Sequence, residues 1–321
     1  MDISVIIPTR NRSAWLPKCL THLEQQTYPA ARFELIVADA GSTDDTASII
    51  SRFATGSPVR TRLIRLEGPD CGAACNRALS ESDGRIVLFV ADDELASPRL
   101  IEIHVETQER REERGVVTGA IHPHPQLRPG TLTRLDLDEG PEPARDQGVR
   151  PYLGAQPSNA SIPRRILEQV GGISEDPRYR MLEHVELAYR LHGEGIDATY
   201  VPDARSYPWQ AAQLDRERER HYHIGYSSYH LERLMGSRAI LQRFRVRHSR
   251  LETLTARVLV PRYIRAIRRR GAESLPFAGP LYRRVLAHDR NRGYDDAGHD
   301  RARRSPEPVE AGGPVAEGVF R

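Results

Sequence analysis

Four short apolar runs alternate with helix-patterned stretches through the first ninety residues: Ile3–Ile7, Phe33–Ala38, Arg60–Leu66 and Ile86–Val90. That alternation is the mark of a mostly parallel sheet covered by helices, an α/β architecture. The first run stops at Pro8, and a helix follows with Trp15, Leu16, Cys19, Leu20 and Leu23 on one face and Asn11 or Ser13 as its cap. After the second run, Ser42-Thr43-Asp44-Asp45 reads as a capping-box-like start for a helix through Phe53. A further helix is expected near Cys71–Ser80.

The rest of the chain divides the same way. A unit from Gly115 to about Tyr207 carries a strand at Val116 and Val117, a proline-rich loop over 122–130 and an acidic loop over 136–146. Helices are expected from Pro163 to Val170-Gly171-Gly172 and from Leu182, and a strand at Ala198–Val201 closes the unit. Residues 210–288 read as a helical extension. From Asp289 the chain is rich in Gly, Pro, Arg and Asp, and a disordered tail over 289–321 is expected. The resulting division is 1–115, 116–209, 210–288 and 289–321.

Composition excludes several classes. Of 321 residues, 39% are hydrophobic, which is ordinary for a globular protein, and no apolar run approaches the ~20 residues needed to span a bilayer. With no charged-then-apolar leader at Met1, the cytoplasm is the expected address. Three cysteines, Cys19, Cys71 and Cys75, build no disulfide framework and read as structural thiols. The net charge of +3 is far from that of a polycation, and no nucleic-acid module accompanies it. The basic stretch over 243–270 mixes apolar and arginine positions. It reads either as a helix packed on the core with a solvated arginine face or as a peripheral contact with anionic lipid, the packed reading being favoured. No GxGxxG or GxxxxGK[ST] follows the first strand, which argues against dinucleotide and P-loop sites.

Function is carried by the strand ends. In open α/β sheets ligands bind outside the carboxyl ends of the strands. Three segments sit there: Ile7-Pro8-Thr9-Arg10-Asn11-Arg12, Val37-Ala38-Asp39-Ala40-Gly41-Ser42, and Phe89-Val90-Ala91-Asp92-Asp93-Glu94. A carboxylate such as Asp39 can accept a base N–H, and a hard cation held by a strand-end carboxylate can bridge two phosphates. Each segment alone has a plain reading, as a capped turn or a solvated acidic loop; their joint occurrence favours a site.

Together these segments resemble family 2 glycosyltransferases of the GT-A nucleotide-sugar fold, over roughly the first two-thirds of the chain. Pro8-Thr9 resembles the family's opening turn, and Asp39-Ala40-Gly41-Ser42 its second-strand signature. Gly72-Ala73-Ala74-Cys75-Asn76 resembles its small-residue turn with Cys75 in place of arginine, and Ala91-Asp92-Asp93 its Asp-x-Asp motif without the first aspartate. In the second half, Ser158-Asn159-Ala160-Ser161, Val170-Gly171-Gly172-Ile173 and the helix Glu183–Leu191 match acceptor-side segments.

The resemblance implies an inverting transferase that moves a sugar from a nucleotide-diphosphate donor to a glycan, lipid-linked or small-molecule acceptor, as in bacterial cell-surface glycan synthesis. Pro8, Thr9, Arg10, Asp39, Asn76 and Asp92 would bind the nucleotide, and Asp93 would hold Mg2+ or Mn2+. The general base would be His184, which stands where the family has aspartate, or its neighbour Glu183. Pro208 stands at the position of a further metal-binding histidine. The alternative is a catalytically degenerate relative that serves as a nucleotide-sugar-binding or scaffold subunit, suggested by Ala91, His184 and Pro208. A nucleotidyltransferase ranks last, because its glycine-rich loop after strand one is missing. For Arg190, four residues after Glu186, an intrahelical ion pair is the expectation. No metal role is expected of His122 and His124, and His221 and His223 are expected at the surface.

Overall fold

The computed structural model describes residues 1–122, 124, 130–139, 158–209, 212–246, 259–267 and 278–303. Eight strands form one mixed sheet in the order β3-β2-β1-β4-β7-β6-β8-β5. They are β1 (Ile3–Thr9), β2 (Phe33–Ala40), β3 (Arg60–Leu66), β4 (Ile86–Phe89), β5 (Glu94–Ala96), β6 (Val116–Ile121), β7 (Ala160–Pro163) and β8 (Ala198–Pro208). Strands β1 to β4 pair in parallel. β7 enters antiparallel between β4 and β6, β8 lies parallel to β6, and the short β5, which sequence reasoning does not foresee, closes the edge antiparallel to β8. The β1–β4 half is therefore parallel, as the alternation predicts, and the β5–β8 half is mixed.

The continuous apolar runs follow from burial on both faces. Ile3, Val5, Ile7, Leu35, Val37 and Leu88 point to one face, packed by α1 (Leu16–Glu24), α2 (Thr46–Gly56) and α4 (Leu100–Arg110). Ile6, Ile36, Ala38, Val87 and Phe89 point to the other, against α3 (Cys71–Glu81), α6 (Arg164–Gln169) and α7 (Glu183–Gly193). Removing a side chain as fully enclosed as Ile6 costs about 2–5 kcal/mol.

Helix α1 buries Leu16, Cys19, Leu20 and Leu23 as its periodicity predicts, but Trp15 is the cap residue and neither Asn11 nor Ser13 caps it. Pro17 falls in the first turn, where a missing N–H costs nothing. Asn11, at a positive φ of 54°, instead reaches across to the loop after β2. Of the expected acidic loop, Asp136 to Glu139 belong to α5 (Thr131–Glu139); the remainder, and most of the proline-rich loop, lie outside the described residues.

The helical extension contains α8 (Leu214–Met235), α9 (Ala239–Arg243), a helical segment over 259–267 and α10 (Ala278–Arg303). Among the described residues of the arginine-rich stretch, Val246, Val260 and Ile267 are buried, while Leu259 is exposed. Helix α10 corrects the expected break at Asp289: residues 289–303 are helical, and 304–321 lie outside the described residues. Two glycines let α10 lie against α8. A Cβ on Gly225 would stand 1.8 Å from the Arg290 carbonyl oxygen, and one on Gly293 would stand 2.0 Å from that of Tyr222. Buried polar pairs line the contact: Arg218 donates to Asp289 at 2.8 Å, and Arg290 faces His221 Nδ1 at 3.0 Å. His221 is thus buried, against the surface position expected of it. A composition that reads as disorder is here the polar side of a helix pair.

Among the described residues no helix is long and apolar enough to cross a membrane.

Candidate functional site

The rim at the carboxyl ends of β1 and β2 is stitched by side chains of the two following loops. Thr9 and Asp39 are partners in the β1–β2 register. Asp39 is fully buried, and its Oδ1 accepts both the backbone N–H of Ser42 at 2.9 Å and the Ser42 hydroxyl at 2.5 Å. Gly41 makes that turn possible: its φ is +72°, and a Cβ would meet the Glu67 carbonyl oxygen at 2.8 Å. Oδ2 of Asp39 has no hydrogen-bond partner and lies 3.6 Å from Arg65 Nε. A buried carboxylate oxygen with a spare acceptor site is suited to take an N–H from a ligand. Asn11 and Arg12 complete the stitching through Ser42 and Thr46, each backbone N–H donating at 2.9 Å.

The acidic segment after β4 splits its three carboxylates. Asp92 and Glu94 turn inward and are buried, whereas the Asp93 side chain keeps 24% of its surface exposed. Arg12 lies between the two aspartates, its Nε 3.1 Å from Asp92 Oδ1 and its Nη2 3.4 Å from Asp93 Oδ2. Burial pushes Asp92 up to about 7 even though Arg12 pulls the other way, and the charge of Asp93 adds to the rise. Burial likewise lifts Glu94 to about 7, opposed by a hydrogen bond of 2.5 Å from the Ser158 hydroxyl. Arg12 is the site residue that sequence reasoning passed over. The signal was its place in the same basic turn as Arg10.

Across from the rim stands the first turn of α7. Glu183 and His184 open that helix, after Leu182 as its cap residue. Burial raises the Glu183 carboxyl. It lowers the His184 imidazole to about 3, helped by Arg220 and Arg243, so this ring is neutral near pH 7. Arg190 forms the expected ion pair with Glu186 at 2.7 Å and also donates to the Gly172 carbonyl at 2.9 Å, which ties α7 to the glycine turn.

One cavity of about 1030 Å3 joins the two sides; Thr9, Arg12, Asp92, Glu183 and His184 all line it, with Pro8 and Arg10. Asn76 does not. Its amide is committed to the backbone of Ile173, accepting from N–H and donating to C=O at 2.8 Å, and to Glu175, so it clamps the 171–173 turn. Asn159 is also enclosed rather than acceptor-facing. It bonds His104 Nε2 at 2.9 Å and the carbonyls of Ala120 and Ala204, knitting β6, β7 and β8 together.

For a divalent cation the donor set is thin. Among the described residues no three His, Cys, Asp or Glu side chains could together hold a metal. The Pro208 position offers no ligand; its neighbour Trp209 donates its backbone N–H to the Asp93 carbonyl at 2.9 Å, with Lys18 Nζ 3.1 Å from its ring centre. A hard cation that draws most of its ligands from phosphates and water needs only one such carboxylate, and the partly exposed Asp93 suits that role. A self-contained metal cage does not fit these residues.

Known proteins share sequence and fold with this chain. The profile of Glycosyl transferase family 2 matches residues 4–171. Validoxylamine A glucosyltransferase of Streptomyces hygroscopicus subsp. jinggangensis is 27% identical over 223 residues, 61% of this chain and 53% of that protein. The chain thus spans about half the length of that relative. A PGL/p-HBAD biosynthesis glycosyltransferase of Mycobacterium bovis is 42% identical over 95 residues, 29% of this chain and 36% of its own. In fold, the chain is similar to S. aureus TarS 1–349 solved with UDP-GlcNAc (TM-score 0.56, 17% identity, 94% of this chain and 92% of that one). It is also similar to the mannosyltransferase PcManGT of Pyrobaculum calidifontis with GDP-Man and Mn2+ (TM-score 0.54, 20% identity, 95% and 76%).

Proposed function

We propose, since the chain belongs to glycosyl transferase family 2 by a match over more than half its length, that it is an inverting transferase using a nucleotide-diphosphate sugar. The observation that carries this reading is the shared cavity, which sets the Thr9–Arg12–Asp92 rim opposite Glu183 and His184.

The roles follow from the electrostatics. Asp39 would accept a base N–H through Oδ2, which faces Arg65 but holds no hydrogen bond, and Pro8, Thr9 and Arg10 border the nucleoside from the cavity. Arg12 supplies a fixed positive charge to the diphosphate, preorganised by its two aspartates. Asp93 would hold Mg2+ or Mn2+, which would supply positive charge to offset that of the departing diphosphate. In the transfer, the acceptor oxygen bonds to the anomeric carbon as the bond from that carbon to the diphosphate oxygen breaks. The leaving group takes the electron pair, and the hydroxyl proton passes to the base.

Between the two base candidates, the surroundings favour Glu183. A base works best with its pKa near the working pH, and burial moves Glu183 towards that range while moving His184 away from it. His184 then acts as a neutral hydrogen-bonding group that orients the acceptor. The buried Val246, Val260 and Ile267 favour packing of the arginine-rich extension on the core over a membrane contact, though Leu259 stays exposed.

Isothermal titration with UDP, GDP and dTDP, with and without Mn2+, tests the proposal; one nucleotide binding in the micromolar range is the expected result. Binding with no turnover of any nucleotide sugar would favour the degenerate-subunit reading, and no binding at all would overturn the proposal.

A further inference from the structure

The cavity does not end at the rim. Beyond Asp92 and His184 it continues between α7 and the sheet, where Phe89, Ile162, Val116, Leu187, Leu191 and Ile196 line it. At its far end stand Arg111, Asp197 and Ala198. The strand registers give its length. Val117 pairs with Ser161, Ser161 with Leu88 and Leu88 with Val5, so Val116 lies level with Ser4, five residues below Thr9. At the rise of an extended strand that is about 16 Å.

Beside the six apolar side chains the lining holds Thr118, His192, Thr199 and Tyr200, so polar groups are present but outnumbered until Arg111 and Asp197 at the far end. The backbones of β6, β7 and β8 pair with one another there, and the Thr118 hydroxyl already faces the Thr199 carbonyl at 3.5 Å. Sugar hydroxyls placed against Phe89, Ile162 and Leu191 would lose water without gaining partners, at a cost of kilocalories each. A nucleotide held at the Pro8-Thr9-Arg10 turn would occupy the other end. The channel is continuous with the reactive rim, so what fills it is attached to a group that reaches Glu183.

Resting on the transferase reading above, we infer that the acceptor is amphiphilic. Its apolar tail lies in the channel between α7 and β6–β8, and its hydroxyl emerges beside Glu183 and His184. The channel sets acceptor choice by burying apolar surface, and the rim sets donor choice by charge.

The test uses the full chain, the apolar fluorophore N-phenyl-1-naphthylamine and two blocking variants, Thr118→Phe within the channel and Ala198→Trp at its exposed far end. Nucleotide titration of the same samples is a separate readout, because neither residue touches the rim. The expected result is fluorophore binding to the native chain that weakens at least tenfold in both variants, with nucleotide affinity unchanged. Ala198 is solvent-exposed, so its variant decides the matter should Thr118→Phe fail to fold. Nucleotide binding without fluorophore binding, or fluorophore binding indifferent to both variants, would overturn the tail site and leave the transferase reading standing. Fluorophore binding without any nucleotide binding would overturn both. A dimer that Ala198→Trp converts to monomer would assign the channel to a second copy and overturn the proposal.

Discussion

Arg12 Nε lies 3.1 Å from Asp92 Oδ1, so a buried guanidinium balances a buried carboxylate at the one edge where a diphosphate would arrive. The pair does not cancel the cost of burial, because Asp92 still rises to about 7. Protonation of Asp92 near neutral pH would free Arg12 for an incoming anion.

Replacing Arg12 by Met removes the charge and leaves two aspartates side by side. We expect nucleotide affinity to fall at least tenfold by calorimetry. Unfolding in urea should show a loss of about 1–3 kcal/mol at pH 8 that shrinks at pH 6, where Asp92 can take a proton instead of remaining an unpaired charge.

The base assignment predicts a split between neighbours. Glu183→Gln should lower kcat by about 10²–10⁴, the usual worth of a general base, with nucleotide affinity held within about twofold. His184→Gln should lower kcat by less than about tenfold, since the neutral ring only hydrogen-bonds. Steady-state kinetics of the two variants, with nucleotide titration as control, decide between them; equal losses would remove the distinction.

Two enclosed groups give stability opposite pH trends. Burial depresses His104 to about 4, so below its ordinary 6.5 the unfolded chain binds the extra proton and stability falls as pH drops from 6.5 towards 4, by about 3 kcal/mol. Glu94 is raised to about 7 from 4.5, so its contribution is intact at low pH and is lost as pH climbs through that window. Glu94→Gln keeps an oxygen for Ser158 and removes the titration. Relative to the native chain it should therefore gain stability between pH 5 and pH 8 in chemical unfolding.

Gly225→Ala drives a methyl into the Arg290 carbonyl and should cost about 1–3 kcal/mol by forcing α8 and α10 apart. Hydrogen exchange should then show protection lost over 278–303 while the sheet amides keep theirs.

The β1–β4 half was legible in the sequence because its signals are local. Alternating apolar faces, the Pro8 stop and carboxylates at Asp39 and Asp92 each follow from residues close together in the chain. Long-range placement hid the rest. Nothing near Asn76 announces that its amide will clamp Ile173 and Glu175, and nothing near His104 announces Asn159 and Ser161. Helix α10 was misread because Asp289, Arg290 and Asp296 look solvated until Arg218, His221 and Tyr222 of α8 are set against them. The resemblance offers both His184 and Glu183 as the base, and the proposal of Glu183 rests on their burial.

The sheet's two halves meet only at β4 and β7, through four antiparallel residue pairs from Ile86↔Pro163 to Phe89↔Ala160. Such a narrow seam lets each half drift under its own selection. On the proposed function, a lineage could exchange one acceptor for another by rewriting β6 to β8 and α7 while the rim on β1 and β2 is left as it was.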